Sequence, residues 1–453
     1  MQHAANPQTE LAEAFSSITV DDLPAPVIER VKNLILDTIA SALAGRHGNE
    51  TAQIEALAAQ IGGEARSTVI AGPRSSLVGA TLLNGYQITA VTVCDVHRPT
   101  LCHVSPEVFP PALAIAEKVE ASGGQFLAAV AAGLETTVRV GLGTNYPEFR
   151  RRGWHSPGVT GPFGGAAAVA KLLDLDATGF GRALGLAGSQ SAGTFAAWGT
   201  PTIKFHQARG AVSGLLAGLL AAEQFKASEA ILTHPDGGIY NSYSDGGLPD
   251  LVTEGLGDRW ELMNISLRLW PAASSLQSLI TGVMALAIDH DLNPAEILSV
   301  RVGLSETVYG MHGTLDWETK FTSLLSAPYV TAVVLHDRQC WLDQFGPSRI
   351  ADPHLDAFIR EQVKVEVDES VEGTGAAVEI SMRDGRVFRD TRNFGKGDAQ
   401  DPLSHAEIEE KLGLAARGLL TDTARDELVR LVARLEDLDN VTELCTLIRR
   451  EAT

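Results

Sequence analysis

Apolar residues recur at helical spacing through roughly the first 260 positions of the chain, in runs separated by Gly, Pro and polar turns. The clearest run is "APVIERVKNLILDTIASALAG" (25–45). It follows Asp21-Asp22-Leu23-Pro24, an acidic, proline-marked helix start. Helices are also expected in "SLVGATLLNGYQITAVTV" (76–93), "PALAIAEKVEA" (111–121), "QFLAAVAAGLETTVRVGLG" (125–143), "GAAAVAKLLDL" (165–175), "GFGRALGLAGSQSAG" (179–193) and "GAVSGLLAGLLAAEQF" (210–225). Small residues crowd these runs, which predicts close helix–helix packing.

The pattern changes near residue 262. A helical run, "SSLQSLITGVMALAIDH" (274–290), precedes the β-branched stretch "EILSVRVGLSETVY" (296–309). Further strands are expected at "VKVEVDE" (363–369) and in "AAVEISMRDGRVFRD" (376–390), a hairpin turning at Asp384-Gly385. Two helical stretches, "SAPYVTAVVLHD" and "PHLDAFIREQ", lie between them. The fold class read from this order is mostly α with a smaller α+β domain. Residues 1–263 form a helical domain, 264–394 the α+β domain, and the helices of 395–453 rejoin the first.

The length of 453 residues allows two or three domains. Apolar residues make up 45% and charged residues 20%, as in a soluble globular chain, and no apolar run reaches bilayer-spanning length. The start, "MQHAANPQTELAEAF", lacks the basic and apolar regions of a signal peptide. Cys94, Cys102, Cys340 and Cys445 show no CxxC spacing and read as free thiols, so a cytoplasmic location is expected. The net charge of −20 argues against nucleic acid and anionic lipid as partners, but leaves room for a small anion held by local cations.

Cofactor signatures are absent: no Walker loop, no G-x-S-x-G elbow and no H-E-x-x-H. "GFGRALG" follows a helical region rather than a strand, so its glycines are assigned to helix packing. Chemistry concentrates in a few segments. "CDVHRPTLCHVSPEVFPPALAIAEK" (94–118) gathers Asp95, His97, Arg98, Thr100 and His103. Its spacing fits no familiar zinc pattern, so no metal is expected. Loop histidines suit acid–base work near neutral pH, though they also serve as helix caps or solvated turn residues. "GTPTIKFHQARGAVSG" (199–214) puts Lys204, His206 and Arg209 at a helix start, where a carboxylate or phosphate could sit; an ordinary basic turn is the plainer alternative. "RGWHSPGVTGPFG" (152–164) plants His155 among backbone breakers ahead of a small-residue helix, and Arg268 precedes Trp270-Pro271 in "SLRLWPAASSLQ".

Together these segments resemble the 2-methylcitrate dehydratase or MmgE/PrpD family, which includes cis-aconitate decarboxylases and an iminodisuccinate epimerase. The resemblance rests on "NLILDTIASALAG", "HVSPEVFPPALAIAEKV", the stretch from Gly153-Trp154-His155 to Gly193, and "GTPTIKFHQARGAVSGLLAGLLAAEQFKASEAIL". It implies a cofactor-free enzyme, a helical domain built from both chain ends with an α+β lid, a homodimer, and a small di- or tricarboxylate substrate. It implies His103, His155, Asp95 and Tyr309 as catalytic residues. Lys204, Arg268, Arg98, His206 and Tyr146 are the expected substrate contacts.

The chain also departs from the family pattern. Only Asp95 remains of the first loop's aspartates, and Val104 follows His103 where the family has proline. Ile203 occupies the usual lysine position, with Lys204 one place later, and Arg268 and Ala273 replace a lysine and a cysteine or histidine. The resemblance favours a lyase of the dehydratase or decarboxylase kind, while these departures move weight towards an isomerase or epimerase. It leaves open an isomerase or epimerase of a related acid, and a non-catalytic small-molecule binding protein.

Overall fold

The computed structural model describes residues 6–314 and 316–449; the first five residues of the N-terminal stretch read above lie outside them. The chain divides into two compact units. One comprises Met1–Ala90, Cys94–Ser266 and His405–Thr453, the other Val91–Val93 and Leu267–Ser404. The molecule is mostly helical with a smaller α+β unit.

The helical unit holds α1 (Ala25–Gly45), α2 (Leu77–Ala90), α3 (Ser105–Val119), α4 (Gly123–Leu142), α5 (Tyr146–Arg151), α6 (Ser156–Leu172) and α7 (Thr202–Ala222). Helix α6 is buried from Ser156 to Ala170 and packs against α3, α4 and α7. Its small side chains permit that approach. At Gly161 a Cβ would lie 2.3 Å from Cγ of Glu107 on α3, so only glycine fits there. Phe163, Val159 and Val169 fill the spaces the small residues leave, each stabilising by about 1.5–3 kcal/mol through burial.

In the α+β unit, β3 (Ile297–Leu304) pairs in parallel with β4 (Val363–Val367) and antiparallel with β5 (Ala376–Met382), which pairs antiparallel with β6 (Val387–Arg392). (A separate two-residue ladder in the helical unit joins β1, Val96–His97, to β2, Ile265–Ser266.) The β5–β6 hairpin turns at Asp384-Gly385, where Gly385 has φ +91°. Helices α8 (Gln277–Asp289) and α10 (Ala327–Asp337) pack on each other. Between β3 and α10, the end of the β-branched stretch leaves the sheet: Ser305 caps α9 (Glu306–His312), so Tyr309 is helical.

The α+β unit runs on to Ser404, beyond residue 394. Lys396 N donates to Thr281 Oγ1 (2.9 Å) and Leu267 N to the Gly397 carbonyl (2.8 Å), which binds that connection to it. The chain then re-enters the helical unit with α11 (His405–Ala415), where Lys411 pairs with Asp37 of α1 at 2.5 Å, both fully buried.

Candidate active site

Three helix starts in the helical unit carry the candidate chemistry. At α3, the Asp95 carboxylate accepts from the backbone N–H groups of Val104 (3.0 Å) and Ser105 (3.1 Å), satisfying donors that a helix start leaves free. The Asp95 backbone carbonyl lies 2.7 Å from His103 Nδ1. A carbonyl only accepts, so Nδ1 holds the proton and Nε2 of the neutral ring carries the lone pair. Asp95 thus orients His103 through its main chain, while its carboxylate fixes the loop.

At α6, His155 is the residue before the first helical turn, and its backbone N–H donates to Gly193 (2.9 Å). The prolines that follow are compatible with a helix. Pro157 lies in the first turn, where its missing N–H costs nothing. Pro162, further in, cannot bond the Gly158 carbonyl four residues back. That carbonyl accepts instead from Arg209 Nη2 (2.8 Å) and Ala192 N (3.1 Å). Arg209 also donates to the carbonyls of Gln190 (2.7 Å) and Ala192 (2.6 Å), so one α7 side chain holds the 190–193 loop against the start of α6.

That loop places His206 of α7 with Nδ1 3.1 Å from Nδ1 of His155. Gly193 lies so close that a Cβ would stand 3.0 Å from His206 Nδ1. In the neutral pair one Nδ1 donates and the other accepts, so the two rings take opposite tautomers. His155 is buried, and its pKa falls well below the usual histidine range, first through burial, then through His206, His103 and Arg150. His206 is also shifted down, by burial and by Arg209. Of these neighbours Arg150 is the fixed cation.

Other groups nearby have different roles. Cys102 is buried with its pKa raised far above the thiol range by burial; it accepts from Thr160 Oγ1 (3.4 Å) and stays an inert thiol. Glu107 is wholly buried among α3, α6 and α7, and among the described residues neither carboxyl oxygen has a partner in another residue. Burial, then Asp95, raises its pKa well above the carboxylate range, which favours the protonated form. His97 is buried in β1 with Nδ1 2.9 Å from Thr100 Oγ1, and burial lowers its pKa to about 4.

Of the residues expected from sequence, His155 and His206 are in contact, and His103 is close enough to shift His155. Lys204 turns inward despite its displaced position and donates to the Ala90 carbonyl at the end of α2. Tyr146 begins α5, half-buried, its pKa pushed up to about 12 by burial. Arg98 is half-buried in a single 3₁₀ turn. Arg268 and Tyr309 belong to the α+β unit: Arg268 is buried and donates to the Ala272 carbonyl (3.4 Å), while Tyr309 is half-buried on α9. Among the described residues no group of three or more His, Cys, Asp and Glu side chains is arranged to hold a metal, and no helix is long and apolar enough to cross a membrane. A groove of about 850 Å³ beside α11 is lined by Glu409, Arg417, Arg425 and Arg430 among others. It is not the site, because Arg425 and Arg430 are spent on neighbouring acids and it holds no buried titratable group like His155.

Residues 9–251 match the MmgE/PrpD N-terminal domain and residues 270–437 the MmgE/PrpD C-terminal domain. The chain belongs to the MmgE/PrpD family. Its curated relatives include a cis-aconitate decarboxylase-like protein of Aspergillus oryzae, 29% identical over 98% of both chains. A cis-aconitate decarboxylase of Aspergillus terreus is 27% identical over 97% of this chain and 95% of its own. The human cis-aconitate decarboxylase is 25% identical over 97% and 93%.

Within this MmgE/PrpD chain, sequence reasoning passed over Glu107 and Arg150 and left Arg209 as one cation of a basic segment. Gly161 opposite Glu107, and Pro162 four residues after Gly158, were the available signals. Both depend on knowing which helices meet.

Proposed function

We propose that this chain is a lyase that decarboxylates a small di- or tricarboxylate of the cis-aconitate type, without a cofactor, by proton transfer at carbon next to a carboxylate. The observation carrying this reading is the environment of His155: a buried imidazole in contact with the half-buried His206, with the Arg150 guanidinium acting on it. A carboxylate entering there would offset that positive charge. The relatives' activity on cis-aconitate supports the same substrate class.

The chemistry follows from charge balance. Decarboxylation breaks a C–CO₂⁻ bond, passes its electron pair into the remaining conjugated acid, and consumes one proton at carbon. In the free pocket, burial and cationic neighbours keep His155 and His206 neutral. A bound carboxylate reverses that electrostatic bias, raises their pKa and draws in one proton, shared by the pair and available to the substrate carbon. His103, its Nδ1 held by the Asp95 carbonyl, is the second acid–base group. Tyr309 as a proton donor, with Arg268, Arg98 and Lys204 as carboxylate contacts, rests on the family resemblance and is tested by Tyr309→Phe and Arg268→Ala.

The experiment is proton NMR of the purified protein in D₂O with cis-aconitate, 2-methylcitrate, citrate, and tartrate- and aspartate-like diacids. Loss of CO₂ from cis-aconitate with one deuterium at carbon is expected. Loss of water from citrate or methylcitrate alone would move the assignment to a dehydratase. Deuterium exchange without a new product would replace it by an epimerase. Binding without exchange would leave a binding protein.

A further inference from the structure

Arg150 begins a run of three arginines whose members behave differently. Arg151 and Arg152 both turn to Glu148 at the surface, with Nε–O distances of 2.7 and 2.8 Å. Arg150 turns the other way. Its guanidinium lies 3.4 Å over the centroid of the Phe195 ring, and Phe195 is itself stacked on Trp198 at 5.4 Å and 12°. Phe195 also meets His155 edge-on at 6.2 Å. Among the described residues Arg150 has neither a carboxylate partner nor a side-chain hydrogen bond, although the protein carries 56 acidic residues. It still acts on its surroundings, adding to the downward shift of His155 and opposing the burial that raises Tyr146.

A half-buried arginine with uncommitted donors, held flat by an aromatic ring, is preorganised for a planar anion. Stacking occupies the guanidinium face and leaves its N–H edge open for bidentate contact with a carboxylate. On the proposed function, the substrate carries more than one carboxylate, and the imidazole pair needs only the one beside the reacting carbon.

We propose that Arg150 is a specificity-determining residue that binds a second carboxylate of the substrate, remote from the reacting carbon, with Phe195 as its platform. This rests on the reading of the His155 pocket as a carboxylate site. Arg150 thereby separates di- and tricarboxylates from monocarboxylates in a pocket whose histidines do not.

The test is NMR titration with two unreactive probes, tricarballylate, a saturated tricarboxylate, and butyrate, a monocarboxylate, against the native protein and the Arg150→Met and Arg150→Lys variants. Arg150→Met is expected to weaken tricarballylate about tenfold to a hundredfold, with butyrate unchanged. Arg150→Lys should recover part of the loss, since it keeps the charge without the planar fork. Equal tricarballylate affinity in the native and Met proteins would overturn the role of Arg150 and leave the carboxylate pocket standing. Parallel weakening of both probes would reduce Arg150 to a structural residue, overturning the proposal. If the native protein bound neither probe, the carboxylate reading would fail and this inference with it.

Discussion

The helical unit buries ionisable groups in two ways. In one region they are matched. Asp37 of α1 faces Lys411 of α11 at 2.5 Å, and Glu135 faces Arg139 at 2.6 Å on α4. Glu135 also accepts from the backbone of Glu261 and Leu262, and Arg139 donates to the carbonyls of Val252, Glu254 and Arg259. In the other region, around the starts of α3, α6 and α7, matching stops. Among the described residues, His155 and His206 face each other without a paired carboxylate, and the Glu107 carboxyl oxygens have no partner. Matched burial joins chain segments far apart in sequence. Unmatched burial costs stability and holds electrostatic potential that a ligand can satisfy.

Breaking the matched region should have the largest effect on the fold. Lys411→Met removes the buried cation that faces the Asp37 carboxylate and should destabilise by about 3–5 kcal/mol. Adding Asp37→Leu should recover most of it. Denaturant unfolding of both variants measures this, and equal loss in single and double variants would mean the pair is not coupled.

A second effect separates buried neutral histidines from the rest. His97 and His312 have folded-state values near 4, lowered from 6.5 by burial. Above pH 6.5 both states are neutral and these residues contribute no slope. Between about 6.5 and 4 the unfolded chain binds protons that the folded chain refuses, so stability falls as pH falls. Each contributes up to about 3 kcal/mol by pH 4. Thermal unfolding across that range should show a shallower acid loss in His97→Gln, and an unchanged slope would contradict the assignment.

The smallest effect concerns Glu107. Its folded-state pKa is raised, so its contribution is intact below the ordinary carboxylate value and is lost as pH rises above it. Glu107→Gln should therefore be more stable than the native protein at pH 8, by about 1–3 kcal/mol, with the gap closing towards pH 4.5. A gap independent of pH would mean that Glu107 is not a buried neutral acid.

How much of this was legible in the sequence follows the same division. Helical periodicity gave α1, α4 and α8 nearly to their ends, and Asp384-Gly385 marked its hairpin, because these features are local. Periodicity failed where glycine and proline carry tertiary meaning. "HSPGVTGPFG" reads as a broken helix start yet is helical from Ser156, since Arg209, 47 residues after Pro162, and Ala192 take up the carbonyl that the proline leaves. The candidate site was legible as residue types. His103, His155 and His206 stood out, and Lys204 was expected to face a substrate. Their arrangement was not legible, because a backbone carbonyl orients His103 and a glycine admits His206. Arg150 stands in a run of three arginines, and only the fold separates it from Arg151 and Arg152, which turn to Glu148.

The central claim is that the His155–His206 pair of the helical unit performs the proton transfer. The most direct test is turnover of cis-aconitate by His155→Gln, compared with the native protein at matched thermal stability. The account predicts a fall of about a hundredfold to ten-thousandfold in kcat, with the protein still folded and still binding tricarballylate. A folded variant that retained native turnover would contradict it.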